Sequence, residues 1–164
     1  MSEIHLSIIV PAYNEEKFIT FSLSQLLNAF KNTKILLELI IINDGSTDKT
    51  FDLINNFKKT NQEIDIIVID NKINLGKSAS LHCGIDIARG NFTTIHDADL
   101  EYDPKDLVRM YNLINNNKDL DSVYGSRYLN KTKKNKQKKM YYIANLLNLT
   151  LFNFFFNSNL SDLH

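Results

Sequence analysis

Asp97 and Asp99 stand one residue apart behind the apolar run 92–96, in the stretch His96-Asp97-Ala98-Asp99-Leu100-Glu101. Two carboxylates so placed at a strand end can reach one hard cation, and a divalent ion held there can bridge two phosphate oxygens. Their mutual repulsion costs free energy unless a cation or hydrogen-bond donors offset it. The competing reading is a solvated acidic turn ahead of a capped helix.

Four further clusters follow apolar runs in the same way. Pro11-Ala12-Tyr13-Asn14-Glu15-Glu16 offers a ring that can stack on a planar base and a carboxylate that can accept hydrogen bonds from base or ribose. Its plainer reading is a turn with Asn14 capping the next helix. In Asn43-Asp44-Gly45-Ser46-Thr47-Asp48, Asn43 or Asp44 could bond a base or ribose, or the segment could simply be a turn and helix start.

Asn71-Lys72-Ile73-Asn74-Leu75-Gly76-Lys77-Ser78 superficially matches a phosphate-binding loop, but that pattern needs glycine at position 71. A nucleoside-triphosphatase reading is therefore rejected. In Gly125-Ser126-Arg127-Tyr128, the guanidinium of Arg127 suits bidentate phosphate binding, and Gly125 permits close backbone approach; a plain surface arginine is the alternative.

The elements that must position these residues alternate between two kinds. Runs rich in β-branched residues at 6–10, 37–42, 64–69, 92–96 and 122–124 predict strands, the middle ones covered on both faces. Helical spacing predicts helices over 15–30, with Phe18, Ile19, Leu23, Leu26, Leu27 and Phe30 on one face, and over 48–58, 78–88 and 104–114. Asp103 and Pro104 supply a cap and a first-turn proline for the last. This is the mark of βαβ units and a mostly parallel α/β sheet, in which ligands bind beyond the carboxyl ends of the strands.

Composition limits the alternatives. With 19 basic and 19 acidic residues, the chain has no global field favouring nucleic acid or another polyanion. A lone cysteine, Cys83, excludes an internal disulfide and gives no support to a structural zinc site, which favours a reducing, cytoplasmic setting. The first residues read as leading directly into a strand rather than as a signal peptide. The apolar segment 146–156 is broken by Asn148 and Asn153 and is too short to span about 30 Å of hydrocarbon.

Taken in order, these motifs resemble the family 2 glycosyltransferases of GT-A fold, in particular the polyprenyl-phosphate (dolichol-phosphate) mannosyl- or glucosyltransferases. The pieces that carry the resemblance are residues 7–16, Asn43 to Asp48, Asn74-Leu75-Gly76-Lys77, Asp97-Ala98-Asp99-Leu100-Glu101 and Gly125-Ser126-Arg127-Tyr128. The resemblance implies a three-layer α/β/α domain over 1–128 that binds a nucleotide sugar, with 129–164 as a basic loop and apolar helix.

It further implies that Pro11, Tyr13, Glu15, Asn43, Asp44, Asn74, Lys77, Asp97 and Ala98 bind the nucleotide. Asp97 and Asp99, supported by Glu101, would hold Mg²⁺ or Mn²⁺ on the donor diphosphate, and Arg127 would contact a phosphate. Asp97, Asp99 and Arg127 are thus the expected catalytic residues. Two departures stand out: Ser78 replaces a common glycine, and Asn43 replaces a common aspartate, which changes the hydrogen bonds open to a base.

The implied reaction is an inverting transfer of a hexose from GDP or UDP to an acceptor, with the metal stabilising charge on the leaving diphosphate. A polyprenyl-phosphate acceptor, largely ionised at neutral pH, would need no protein base. Relatives continue beyond Leu160-Ser161-Asp162-Leu163-His164 into acceptor-side elements, so the chain reads as truncated, and a nucleotide-sugar-binding module without turnover is the alternative.

Lysines dominate residues 131–139 and lead into aromatic and apolar residues. Such a segment can bind the anionic cytoplasmic face of a membrane, or it can be a solvated loop before a packed helix. Without interleaved arginines or aromatics it is a poor reader of RNA.

Overall fold

The computed structural model describes residues 3–125 and 139–156, with the backbone alone for 139–145 and 156. The chain divides into two compact units, Met1–Asn117 and Lys118–His164.

The first unit alternates strand and helix: β1 (Leu6–Ala12), α1 (Ile19–Phe30), β2 (Leu37–Asp44), α2 (Thr50–Thr60), β3 (Asp65–Asn71), α3 (Lys77–Ile87), β4 (Phe92–Ile95) and α4 (Pro104–Asn115). The strands form one parallel sheet in the order β3-β2-β1-β4. The chain runs outward from β1 to β3, then crosses back to place β4 on the other flank of β1. The carboxyl ends of β1 and β4 therefore border the switch point where an open α/β sheet leaves a crevice.

Side chains that alternate along each strand divide the core in two. Ile8, Val10, Ala12, Leu39 and Ile41 point into a cluster with Ile19, Leu23 and Leu26 of α1, Ile54 and Phe57 of α2, and Tyr111 of α4. Ile9, Ile40 and Ile42 point the other way, against Leu81 of α3. Three helices thus cover one face and α3 the other, which explains why β1 and β2 are apolar at nearly every position.

Gly84 lets α3 approach closely, since a Cβ there would come within 2.6 Å of Ile9 Cγ2. At the amino end of the sheet, fully buried Glu38 accepts from Ser7 Oγ (2.6 Å), Arg89 N (2.6 Å) and the Arg89 guanidinium, which also reaches Asp65. One carboxylate so ties β1, β2 and the segment entering β4 together.

Two expectations are corrected. Residues 122–124 form no strand: Val123 is the one aliphatic residue of the run, Tyr124 is 74% exposed, and three residues offer few ladder bonds to offset chain ordering. Helix α1 starts at Ile19 rather than at Glu15, because Glu15 O closes a turn with Phe18 N and Ile19 N, and this leaves Phe18 outside the core. Asp103 caps α4 as expected, accepting from Lys105 N at 3.0 Å.

In the second unit, α5 (Lys139–Phe156) carries Leu146, Leu147, Leu151, Phe154 and Phe155 exposed. Among the described residues no helix is long and apolar enough to cross a membrane.

Candidate nucleotide and metal site

The loops leaving the four strands are fastened to one another by bonds that involve the motif residues themselves. Asn14, in left-handed backbone at φ 56°, donates its N–H to Ser46 Oγ (3.0 Å), and its Oδ1 accepts from Thr47 N (2.8 Å). Glu15 N donates to Thr50 Oγ1 (2.8 Å) and Glu16 N to Asp48 Oδ2 (3.2 Å), while Glu16 Oε2 accepts from Lys49 N (3.2 Å). The loop after β1 and the loop after β2 therefore hold each other's orphan backbone donors. Asp48 also accepts from Thr50 N at 2.9 Å, which opens α2.

Asp44 fastens the third loop. Its Oδ1 accepts from Asn71 Nδ2 (2.9 Å) and Leu75 N (3.0 Å), and its Oδ2 from Gly76 N (2.8 Å). Burial alone would push this carboxyl up, but the donors from Leu75, Asn71 and Gly76 together hold it below the usual aspartate range. Gly45 allows the loop to lie this close: its φ is +69°, and a Cβ there would sit 2.4 Å from the carbonyl carbon of Ile73.

Asn43, its neighbour, is 2% exposed and donates Nδ2 to Asp70 Oδ1 (2.7 Å), the residue opposite it in the β2–β3 register. Its Oδ1 has no partner among the described residues. Asn74 Oδ1 accepts from Gly76 N (3.0 Å) and so shapes the entry to α3.

At the switch point, Ile95 pairs with Ile9, and His96 N continues the ladder to Ile9 O at 2.9 Å. Asp97 thereby emerges beside the end of β1. Buried His96 bonds Ser22 of α1 through Nε2 (3.0 Å), and Ala98 is buried in the core, so the residues on both sides of Asp97 are fixed. Burial pushes the His96 imidazole down, and the weaker opposing pull of Asp97 and Asp99 does not reverse it.

Asp99 Oδ1 accepts from Glu101 N (3.0 Å), and Leu100 between them adopts φ 63°. A left-handed leucine costs about 1 kcal/mol or more, and such strain collects at functional turns.

Asp97 is not alone. Lys77 Nζ lies 2.7 Å from its Oδ1 and 2.8 Å from its Oδ2. Across the crevice, burial first and then the charges of Asp99, Asp48 and Asp97 push the Glu15 carboxyl above the usual glutamate range. Carboxylate charge therefore accumulates at this rim, and an ammonium already sits where a cation would.

That donor chemistry fits a hard divalent ion. Among the described residues no three carboxylate, imidazole or thiol groups converge on one point, and Glu101 is exposed, so Asp97 and Asp99 would leave most of an ion's shell to phosphate and water. Tyr13, 46% exposed beyond the end of β1, presents a ring for stacking, and Pro11 lies half-buried within β1 opposite Ile42.

Tyr13, Glu15, Lys77, Asp97 and Asp99 thus share one rim. Arg127 and the lysines at 131–138 lie outside the described residues. Sequence reasoning missed Asp70, Ser22 and His96; a polar residue ending an apolar strand was the available signal for the last.

The family model for glycosyl transferase family 2 matches residues 7–163. The dodecaprenyl-phosphate galacturonate synthase of Rhizobium johnstonii is 33% identical over 77% of this chain and 37% of its own length. A dolichyl-phosphate beta-glucosyltransferase of Trichomonas vaginalis is 35% identical over 60% of this chain and 31% of its own. Among solved structures, the mannosyltransferase PcManGT from Pyrobaculum calidifontis, in complex with GDP-Man and Mn²⁺, superposes with a TM-score of 0.57 at 24% identity, over 63% of this chain and 30% of that one.

This last likeness is one of fold, and the shared parallel sheet with its covering helices is the GT-A arrangement. The chain spans about a third of the length of the relatives it matches.

Proposed function

The chain belongs to glycosyl transferase family 2, and on that premise we propose that it forms the donor-binding part of a metal-dependent inverting hexosyltransferase with a polyprenyl-phosphate acceptor. The observation that carries the reading is the acidic rim at the β1/β4 switch point, where Asp97 and Asp99 follow β4 and the Lys77 ammonium lies 2.7 Å from Asp97 Oδ1.

Tyr13 would stack on the base of a GDP- or UDP-hexose, with Pro11, Glu15, Asn43 and Asp44 lining the base and ribose side of the crevice. Asp44 acts mainly through the loop it holds, and Asn74 with it, while Ala98 keeps Asp97 at the rim. Asp97 and Asp99, with Glu101 nearby, would hold Mg²⁺ or Mn²⁺, which supplies positive charge to the diphosphate oxygens. Lys77 adds a second positive charge there, and Arg127 a third on donor or acceptor phosphate.

A phosphate oxygen of the acceptor forms the new bond at the anomeric carbon as the bond to the donor diphosphate breaks. The electron pair of the broken bond stays on the departing nucleoside diphosphate, and the configuration inverts. Because the acceptor phosphate is already ionised at neutral pH, no proton need be removed. The names of the relatives support this acceptor class, since they act on dodecaprenyl and dolichyl phosphates.

In this reading residues 1–128 bind the donor, and the lysines of 131–139 with the exposed apolar residues of α5 dock at the cytoplasmic face of an anionic bilayer. A transfer assay with GDP- and UDP-hexoses, Mn²⁺ and a short polyprenyl phosphate tests the proposal. Formation of a glycosyl phosphate lipid is expected; nucleotide binding without product would leave a binding module instead.

A further inference from the structure

We infer that Lys77 is a built-in competitor for the metal, whose release from Asp97 by the donor diphosphate makes metal and nucleotide bind cooperatively. The inference rests on the donor-site reading above and deepens it.

The Lys77 ammonium lies 2.7 and 2.8 Å from the two oxygens of Asp97, so it covers the edge of the carboxylate that a divalent ion would approach. Its backbone cannot drift, because Asp44 holds the preceding Gly76 N–H at 2.8 Å and α3 begins at Lys77 itself. The side chain can move: it is 58% exposed, and a partly solvated ion pair is weak enough to exchange partners.

A metal arriving alone must displace this ammonium, and it then finds few protein ligands, since no three candidate ligating groups converge among the described residues. A nucleoside diphosphate changes both conditions. Its phosphates would offer Lys77 a new anionic partner, and their oxygens would complete the shell around the ion. Each ligand therefore lowers the cost of binding the other, and by linkage the effect is the same in both directions.

A lysine that merely neutralised a surface carboxylate, or merely contacted phosphate, would behave differently. In the first case its removal would change metal binding and leave the coupling intact. In the second it would weaken nucleotide binding and leave metal affinity unchanged.

The test measures Mn²⁺ affinity from the paramagnetic resonance signal of unbound ion at fixed ionic strength, for the unaltered chain, K77M and K77R, each alone and with saturating GDP or UDP. The unaltered chain should bind Mn²⁺ weakly alone and about tenfold or more tightly with nucleotide. K77M should bind Mn²⁺ alone about threefold more tightly than the unaltered chain, the scale of an exposed ion pair, with the enhancement by nucleotide reduced. K77R, which keeps the charge, should retain the enhancement.

Unchanged or weaker Mn²⁺ binding by K77M alone, or full enhancement by nucleotide in that variant, would overturn the inference while leaving the donor site standing. An unaltered chain that binds no Mn²⁺ with either nucleotide would overturn the donor-site reading as well.

Discussion

Asn14 and Thr47 are 33 residues apart, yet the side-chain oxygen of Asn14 accepts both the Thr47 N–H at 2.8 Å and the Thr47 hydroxyl at 3.3 Å. This contact joins the first two loops of the rim, and it changes the role of the asparagine. Its own N–H goes to Ser46, and α1 has no side-chain cap.

Replacing Asn14 by alanine removes the acceptor of two donors and places a Cβ-bearing residue without a local bond in left-handed backbone. A loss of about 1–2 kcal/mol is expected in urea denaturation, together with weaker nucleotide binding. Asn14→Gly should recover the backbone part and not the loop contact. Equal stability of all three proteins would contradict the assigned role.

Gly45→Ala should be more damaging than its size suggests. The new methyl would meet Ile73 and Asn74 backbone atoms at 2.4–2.6 Å, and the residue must hold φ +69°. Because backbone cannot step aside as a side chain can, the expected cost is about 2–3 kcal/mol. Hydrogen exchange should show Leu75 and Gly76 amides losing the protection that Asp44 provides.

Glu38 predicts a pH dependence. Burial would raise its carboxyl, but bonds from Ser7 and Arg89 bring it below its unfolded value near 4.5. Between those two values the unfolded chain binds more protons than the folded one, so stability is complete above about pH 4.5 and falls as pH drops through the folded value. Glu38→Gln should cost about 2–4 kcal/mol at pH 7, with the deficit narrowing in acid. A deficit that stayed constant from pH 7 to pH 3 would contradict the charged network.

The layered sheet was legible because β1 and β2 are buried on both faces, which forces apolar residues at nearly every position, and half-buried β3 keeps the same run at 66–69. Boundaries shifted where backbone bonding overrode pattern. Glu15 turns the chain before α1 begins, and residues 122–124 lack the apolar length for a ladder.

The placement of the candidate residues was legible: Tyr13, Glu15, Lys77, Asp97 and Asp99 all lie in the segments that follow β1, β3 and β4. The division of labour was not legible. Asp44 and Asn14 look like ligand-binding or capping residues in sequence, but the partners that engage them lie about thirty residues away and meet them only through the parallel register. Likewise, the pairing of Asn43 with Asp70 follows from β2 lying beside β3, which no local pattern announces.

The central claim is that Asp97 and Asp99 hold an ion through which the donor diphosphate is bound. Calorimetric titration of GDP and UDP into the unaltered chain and Asp99→Ala, each with and without Mn²⁺, tests it most directly. Asp99 is exposed, so the fold should survive the substitution. The unaltered chain should bind one of the nucleotides about tenfold or more tightly with Mn²⁺, and the variant should lose that dependence. Undiminished Mn²⁺-dependent affinity in Asp99→Ala would contradict the account.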